Sequence, residues 1–88
     1  MRPVSIPIED VLDLHSYSPK EIPNLLQDYL EECCKTGLNS IRIIHGKGTG
    51  ILKERVRSVL KKMPLVVSFR DAPPEAGGWG ATIVFLKK

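Results

Sequence analysis

The sequence predicts an α/β domain: a two-layer sandwich in which a four-stranded mixed sheet carries both helices on one face. Three observations predict it. Short apolar runs alternate with two stretches of helical periodicity, a glycine-rich loop directly follows one apolar run, and two further strand-like runs close the chain. The expected order is strand, helix, strand, helix, strand, strand (βαβαββ). At 88 residues, the chain has the size of a single domain.

The first strand follows a short proline-containing segment. Residues 1–8 are expected to form an extended arm and residues 9–88 the folded domain. The strand is predicted over residues 9–15, with Asp13 and His15 on one face and leucines on the other, because side chains alternate along a strand.

A helix and a second strand are predicted next. Ser18 and Glu21 form a capping-box pattern, and an apolar stripe at helical spacing runs from there to about Thr36. Gly37 is a good signal for the end of this helix. Residues 40–45 are rich in isoleucine, which is typical of a parallel strand buried on both faces.

The second half of the chain predicts one more helix and two strands. The helix is expected to begin near Gly50 and to be ended by Pro64. Strands are predicted over residues 65–70 and 81–87, and a loop over 71–80 that is rich in proline and glycine. A loop of that length between strands is often functional.

Composition narrows the possible partners. Thirteen Lys and Arg against ten Asp and Glu give a net charge of +3, which favours an anionic partner. Cys33 and Cys34 are adjacent in the first helical pattern, where disulfide geometry is poor, so reduced thiols and a cytoplasmic location are expected. No apolar run approaches about 20 residues, so no membrane partner is expected.

Two histidines end the first two predicted strands, His15 and His45. The carboxyl ends of parallel strands meet at the edge of the sheet where α/β folds bind ligands, so both imidazoles are expected in one site. A nearby carboxylate, here Asp13, can raise the basicity of an imidazole and select its tautomer, as general acid–base chemistry requires. These three residues are the predicted catalytic group.

The loop after the second strand predicts a phosphate cradle. Glycines at alternate positions allow backbone N–H groups to turn toward one point at a helix N-terminus. The spacing matches neither a Walker A loop nor the dinucleotide-binding pattern. The predicted cradle consists of Gly46, Lys47, Gly48, Thr49 and Gly50. Residues expected to extend the contact with nucleic acid are Arg42, Lys53, Arg70 and Trp79, the last by stacking on a base.

Three ordered motifs resemble the Smr (small MutS-related) domain family over residues 9–88: Leu-Asp-Leu-His at 12–15, His-Gly-Lys-Gly-Thr-Gly at 45–50, and Gly-Gly-Trp-Gly-Ala-Thr-Ile-Val at 77–84. The resemblance implies a fold similar to the C-terminal domain of bacterial translation initiation factor three, nucleic-acid binding and, in many members, endonuclease activity on DNA or RNA. Asp13 and His15 match the family's cleavage motif. Ser16 departs from it, because the family usually has glycine there.

The expected function is nucleic-acid binding with phosphodiester cleavage, and two other classes stay open. One is a non-catalytic nucleic-acid-binding module, which needs the cradle but not Asp13. The other is a small nucleotide-binding protein, in which Asp71 would contact a ribose. No protein metal site is expected, because Asp13 is the one carboxylate in the two strand-end motifs. RNA cleavage is therefore expected to survive EDTA, and DNA cleavage to require added Mg²⁺ or Mn²⁺.

Overall fold

The computed structural model describes residues 10–46 and 50–87. The predicted order of strands and helices is confirmed. Its elements are β1 (Val11–Asp13), α1 (Ile22–Lys35), β2 (Ser40–Ile44), α2 (Ile51–Lys61), β3 (Val66–Asp71) and β4 (Ala81–Leu86). Two short 3₁₀ turns, Pro74–Ala76 and Gly78–Gly80, lie between β3 and β4. The expected arm and the middle of the glycine loop, residues 47–49, lie outside the described residues.

The sheet is mixed, as predicted, and its strand order is β1-β2-β4-β3. β1 and β2 are parallel, with Asp13 opposite Ile44, so the two strands end at the same edge. β4 lies antiparallel between β2 and β3. The connection through α2 therefore passes over the position of β4, and the final strand fills the gap that this crossover leaves.

The two faces of the sheet differ. Ile41 and Ile43 of β2 are fully buried on the face that both helices cover. The other face, called here the open face, presents the alternate residues Arg42 and Ile44, with Ile83 of β4 opposite Arg42. The main core cluster joins these residues of the sheet and both helices: Leu12, Ile22, Leu26, Tyr29, Leu30, Ile41, Ile43, Val56, Leu60, Val84 and Leu86.

Helix α1 begins at Ile22, later than the capping pattern predicted. Proline has no N–H and its ring clashes with the preceding helical turn, so it is tolerated only in the first turn. Pro23 therefore sets the start of the α-helix one residue before it. Part of the predicted capping box is still present, because the backbone N–H of Ser18 donates to the carboxylate of Glu21 at 2.8 Å. The residues between them form a turn that leads into α1.

Gly37 ends α1 as predicted. It has a φ of +89°, and the N–H of Leu38 donates to the carbonyl of Cys33 at 2.9 Å, which closes the helix with a Schellman-type turn. In the described ranges, neither helix has the length and apolar character needed to cross a membrane.

Candidate functional site

Asp13 ends β1 and holds His15. Its Oδ1 accepts the backbone N–H of His15 at 2.9 Å, and the Nδ1 atom of the His15 ring lies 2.6 Å from the same oxygen. The first contact turns the chain, so the strand stops two residues earlier than predicted and His15 lies in the following turn. The predicted pairing of the two side chains is present, but a turn creates it and not the alternation of a strand.

The electrostatics of this pair favour an ionised carboxylate. The backbone hydrogen bond from His15 is the main reason why the pKa of Asp13 is lowered; desolvation opposes this shift, and the contact with the ring adds to it. An ionised carboxylate can only accept, so Nδ1 of His15 carries the proton and Nε2 faces away from Asp13. The side chains are 63% and 56% exposed, for His15 and Asp13 respectively, so substrate can reach the pair.

Gly46 lies against the outer nitrogen of that imidazole. A Cβ atom on Gly46 would be 3.2 Å from Nε2 of His15, and the φ of Gly46 is +79°, a conformation that residues with side chains rarely adopt. The backbone N–H of Gly46 donates to the carbonyl of Gly80 at 2.8 Å. That N–H was expected to face a phosphate; the structure uses it to join β2 to the start of β4.

His45 is buried, with only 5% of its surface exposed. Its Nδ1 lies 2.9 Å from the carbonyl of Gly46, and its Nε2 lies 2.8 Å from the hydroxyl of Thr82. A carbonyl only accepts, so Nδ1 is the donor, and a neutral ring then accepts from Thr82. Burial lowers the pKa of His45, which favours this neutral form. Neither ring nitrogen is available to a substrate in this arrangement.

Lys53 and Asp71 form an ion pair below the carboxyl edge of the sheet. Lys53 Nζ lies 2.7 Å from Asp71 Oδ1 and 5.4 Å from the centre of the Trp79 ring, and Arg57 also pairs with Asp71. The hydrogen bond from Lys53 is the main reason why the pKa of Asp71 is lowered. The charge of Lys53 is thus already balanced within the protein, and the carboxylate suggested for ribose recognition is occupied by two cations. Trp79 is 46% exposed, as expected of a residue that could stack on a base.

The other two predicted contacts lie on the open face. The guanidinium of Arg70 stacks on the ring of Phe85, at 5.3 Å from its centre. Arg42 lines a groove between β2 and the 3₁₀ turns, where one of its terminal nitrogens donates to the carbonyl of Ala76 at 3.1 Å. The groove has a volume of about 340 Å³ and is lined by Arg42, Ile44, Gly46, Glu75, Gly77 and Gly80.

Of the predicted cradle, the described residues include its two ends. Gly50 has a φ of +85° and precedes α2, and its carbonyl accepts the N–H of Glu54 at 3.0 Å. The N–H groups of the first turn of a helix have no partners within it and favour anions. The three residues between the ends of the cradle, 47–49, lie outside the described part of the chain.

Two residues of the site were missed by sequence reasoning. Thr82 bonds His45, and the carbonyl of Gly80 accepts the backbone N–H groups of both His45 and Gly46. Thr82 did leave a signal in the sequence, because it is a hydroxyl residue in the otherwise apolar stretch 81–86 of a predicted strand; the structure buries it fully, so it needs a polar partner. Gly80 left no such signal in the sequence, because it acts through its backbone carbonyl, and which N–H groups that carbonyl meets depends on the strand register.

Ser16 fits the site without strain. The described residues include no positive φ outside glycine, so Ser16 adopts a backbone conformation open to any residue. It is exposed in the turn after His15. The glycine usual in the family is thus not required by the backbone at this position.

The donor set does not fit a two-metal centre. Within residues 10–46 and 50–87, no three side chains of His, Cys, Asp or Glu come together to hold a metal ion. Two-metal nucleases need several such groups around a pair of cations. The expected requirement of DNA cleavage for Mg²⁺ or Mn²⁺ stays a prediction.

Fold and site together define a class: a two-layer α/β domain with an exposed histidine–carboxylate pair at the carboxyl edge of a mixed sheet. The Smr domain profile matches residues 12–87, and the chain belongs to the Smr domain family.

Known relatives agree with this assignment. The chain is 41% identical over 76 residues to "Endonuclease MutS2" of Thermus thermophilus and 42% identical over 76 residues to that of Staphylococcus carnosus. Each match covers 86% of this chain and 10% of the relative, so the chain spans about a tenth of the length of these curated relatives.

Two solved structures are similar in fold. The Smr domain of Thermus thermophilus MutS2 superimposes with a TM-score of 0.84 at 39% identity, covering 91% of this chain and all of that one. YdaL, a stand-alone small MutS-related protein from Escherichia coli, gives a TM-score of 0.78 at 30% identity, covering 93% of this chain and 67% of that one.

Proposed function

We propose that this domain binds nucleic acid through its phosphates and cleaves phosphodiester bonds with His15 as the general acid–base residue. The observation that supports this most is the pair in which Asp13 holds Nδ1 of His15 at 2.6 Å while Nε2 lies beside Gly46. The net charge of +3 favours the polyanionic partner, and the relatives are named endonucleases.

On RNA, the proposed chemistry needs one base and stabilisation of phosphate charge. His15 Nε2 takes the proton of the 2′-hydroxyl, the freed oxygen attacks phosphorus, and the bond to the 5′-oxygen breaks, with that oxygen protonated from water. The product end is a 2′,3′-cyclic phosphate. Asp13 orients the ring and selects the tautomer that carries its proton on Nδ1. The first turn of α2 is proposed to stabilise the phosphate charge, and Lys47, Gly48 and Thr49 are proposed to bind phosphate.

For His45 we propose a positioning role in place of direct catalysis. Both of its ring nitrogens already have partners, and one of these is the carbonyl of Gly46, the residue against which His15 lies. His45 is therefore proposed to hold in place the backbone of Gly46, against which the ring of His15 lies. Lys53, Arg70 and Trp79 are proposed as outer contacts with the nucleic-acid strand.

A cleavage assay on single-stranded and structured DNA and RNA tests this proposal. We expect RNA cleavage that persists in EDTA and leaves a cyclic phosphate, and DNA nicking only with an added divalent ion. Asp13→Ala and His15→Ala should each strongly reduce cleavage while binding stays salt-dependent. Glu31→Ala, on the exposed side of α1, is the control. RNA cleavage that stops in EDTA and returns with Mg²⁺ would contradict the base mechanism. Binding without cleavage by the wild type would leave a non-catalytic binding module.

A further inference from the structure

We propose that the groove on the open face is a subsite for one unpaired nucleotide, whose phosphate Arg42 binds. This inference rests on the proposed function, because it places that nucleotide beside the bond that His15 cleaves. It adds a substrate class to that function: a single strand, a loop or a nucleotide turned out of a duplex.

Arg42 is a half-buried cation that forms no ion pair with the part of the chain that the structure describes. Among the described residues, no carboxylate lies within 4.0 Å of its guanidinium, and its Nε is buried without a hydrogen-bond partner. The Nε of Arg57 is buried without a partner as well, so the difference between the two arginines is the counter-charge: half-buried Arg57 pairs with Asp71. Taking a charge out of water is unfavourable unless an opposite charge accompanies it. The planar guanidinium also matches the geometry of phosphate oxygens.

The groove leads from Arg42 to the proposed catalytic pair. Arg42 and Ile44 lie on the same face of β2, and β1 places Asp13 opposite Ile44. Arg42 is two residues further back along the strand, about 6.6 Å at the usual rise of 3.3 Å per residue. Gly46 also lines the groove, and a Cβ on Gly46 would be 3.2 Å from Nε2 of His15. A strand in the groove would thus place one phosphate near His15 and its neighbour near Arg42.

The walls of the groove suit a bare nucleotide. Gly46, Gly77 and Gly80 contribute backbone without side chains. A volume of about 340 Å³ lies at the small end of ligand sites, roughly 300 to 1,000 Å³. This space accepts one nucleotide but not a base pair. Unpaired nucleotides can present a base and a phosphate to such a groove, whereas duplex stacking keeps the base away.

A charge-pairing experiment tests the subsite. Affinity for a single-stranded DNA oligonucleotide in EDTA would be measured by fluorescence anisotropy, with each phosphate in turn replaced by a neutral methylphosphonate. We expect Arg42→Gln to lower affinity roughly tenfold and to abolish the effect of neutralising one particular linkage. Arg55→Gln, which removes the same charge from the exposed surface of α2, should change affinity less than about twofold and leave the linkage profile intact.

A second variant keeps the test independent of the hydrogen bond between Arg42 and the 3₁₀ turn. Glu75 is exposed at the rim of the groove, so Glu75→Gln should raise affinity a fewfold, while Glu31→Gln on α1 should not. Equal effects of Arg42→Gln and Arg55→Gln, together with no effect of Glu75→Gln, would overturn the subsite. So would equal dependence on Arg42 for duplex and single-stranded DNA. Wild-type protein that binds no oligonucleotide would instead refute the proposed function, and this inference with it.

Discussion

His15 and His45 follow neighbouring parallel strands at the same edge of the sheet, yet their surroundings are opposite. The His15 side chain is 63% exposed and is held on one nitrogen by an ionised carboxylate. His45 is 5% exposed and is held on both nitrogens by neutral groups. The first arrangement leaves Nε2 open to a substrate, and the second leaves the ring no open nitrogen.

The difference teaches that two histidines at neighbouring strand ends need not be equally open to a substrate. Burial lowers the pKa of His45 and favours a neutral, fixed ring, which suits a structural bridge between β2 and β4. Exposure next to a carboxylate suits proton transfer. Gly46 connects the two, because His45 bonds its carbonyl while His15 contacts its Cα side.

Replacement of His15 should have the largest effect on cleavage. His15→Ala removes the proposed base, so we expect cleavage to fall about 10²- to 10⁴-fold, the usual contribution of general acid–base catalysis. The ring is exposed, so the thermal midpoint should hardly change. Single-turnover cleavage and thermal unfolding of the same preparation check both parts. A variant that cleaves like the wild type would remove His15 from the reaction.

Gly46→Ala should damage the site more than the fold. The new Cβ would press on Nε2 of His15 at 3.2 Å, so we expect cleavage to fall about 10- to 100-fold. Gly37→Ala is the matched control, because Gly37 has a similar φ of +89° and no atom within 4 Å of the added Cβ. Both variants should lose about 1–2 kcal/mol of unfolding free energy from the left-handed backbone. Equal loss of cleavage in both would mean that contact with His15 is unimportant.

His45 should make stability depend on pH. Its pKa is lowered in the folded state, so the unfolded chain binds the extra proton more readily. The unfolding free energy should be steady above pH 6.5, the ordinary value for histidine, and fall as the pH drops below it. His45→Gln should be less stable at pH 7 by about 1–3 kcal/mol and should show a flatter profile between pH 6.5 and 5. Chemical denaturation at several pH values measures this, and parallel profiles would contradict it.

Ser16→Gly should have the smallest effect. Ser16 has no positive φ, so restoring the family's glycine relieves no strain. We expect cleavage within about threefold of the wild type and a loss of about 0.4–1 kcal/mol in unfolding free energy, because glycine gives the unfolded chain more freedom. A large rise in cleavage would show that the serine side chain narrows the site.

The sequence predicted the elements correctly but misplaced the start of one and the end of another. Helical periodicity and the stop at Gly37 are local, and both were predicted correctly. The start of α1 was predicted too early because Pro23 outweighs the capping pattern. The end of β1 was predicted too late because the carboxylate of Asp13 turns the backbone at once. In each case, one side chain changed the backbone locally and moved the end of the element away from the position that the sequence pattern predicted.

The order of elements, the fold family and the pairing of Asp13 with His15 were determined by the sequence itself, because periodicity, turn residues and contacts between near neighbours depend on short stretches of chain. Only the tertiary structure decided which histidine is exposed, since Thr82 lies 37 residues beyond the ring that it bonds. It also decided that Arg42 forms no ion pair within residues 10–46 and 50–87 and lines a groove, because the 3₁₀ turns that form the other wall lie more than 30 residues away. Burial and charge compensation depend on contacts between distant segments, and those contacts exist only once the sheet has formed.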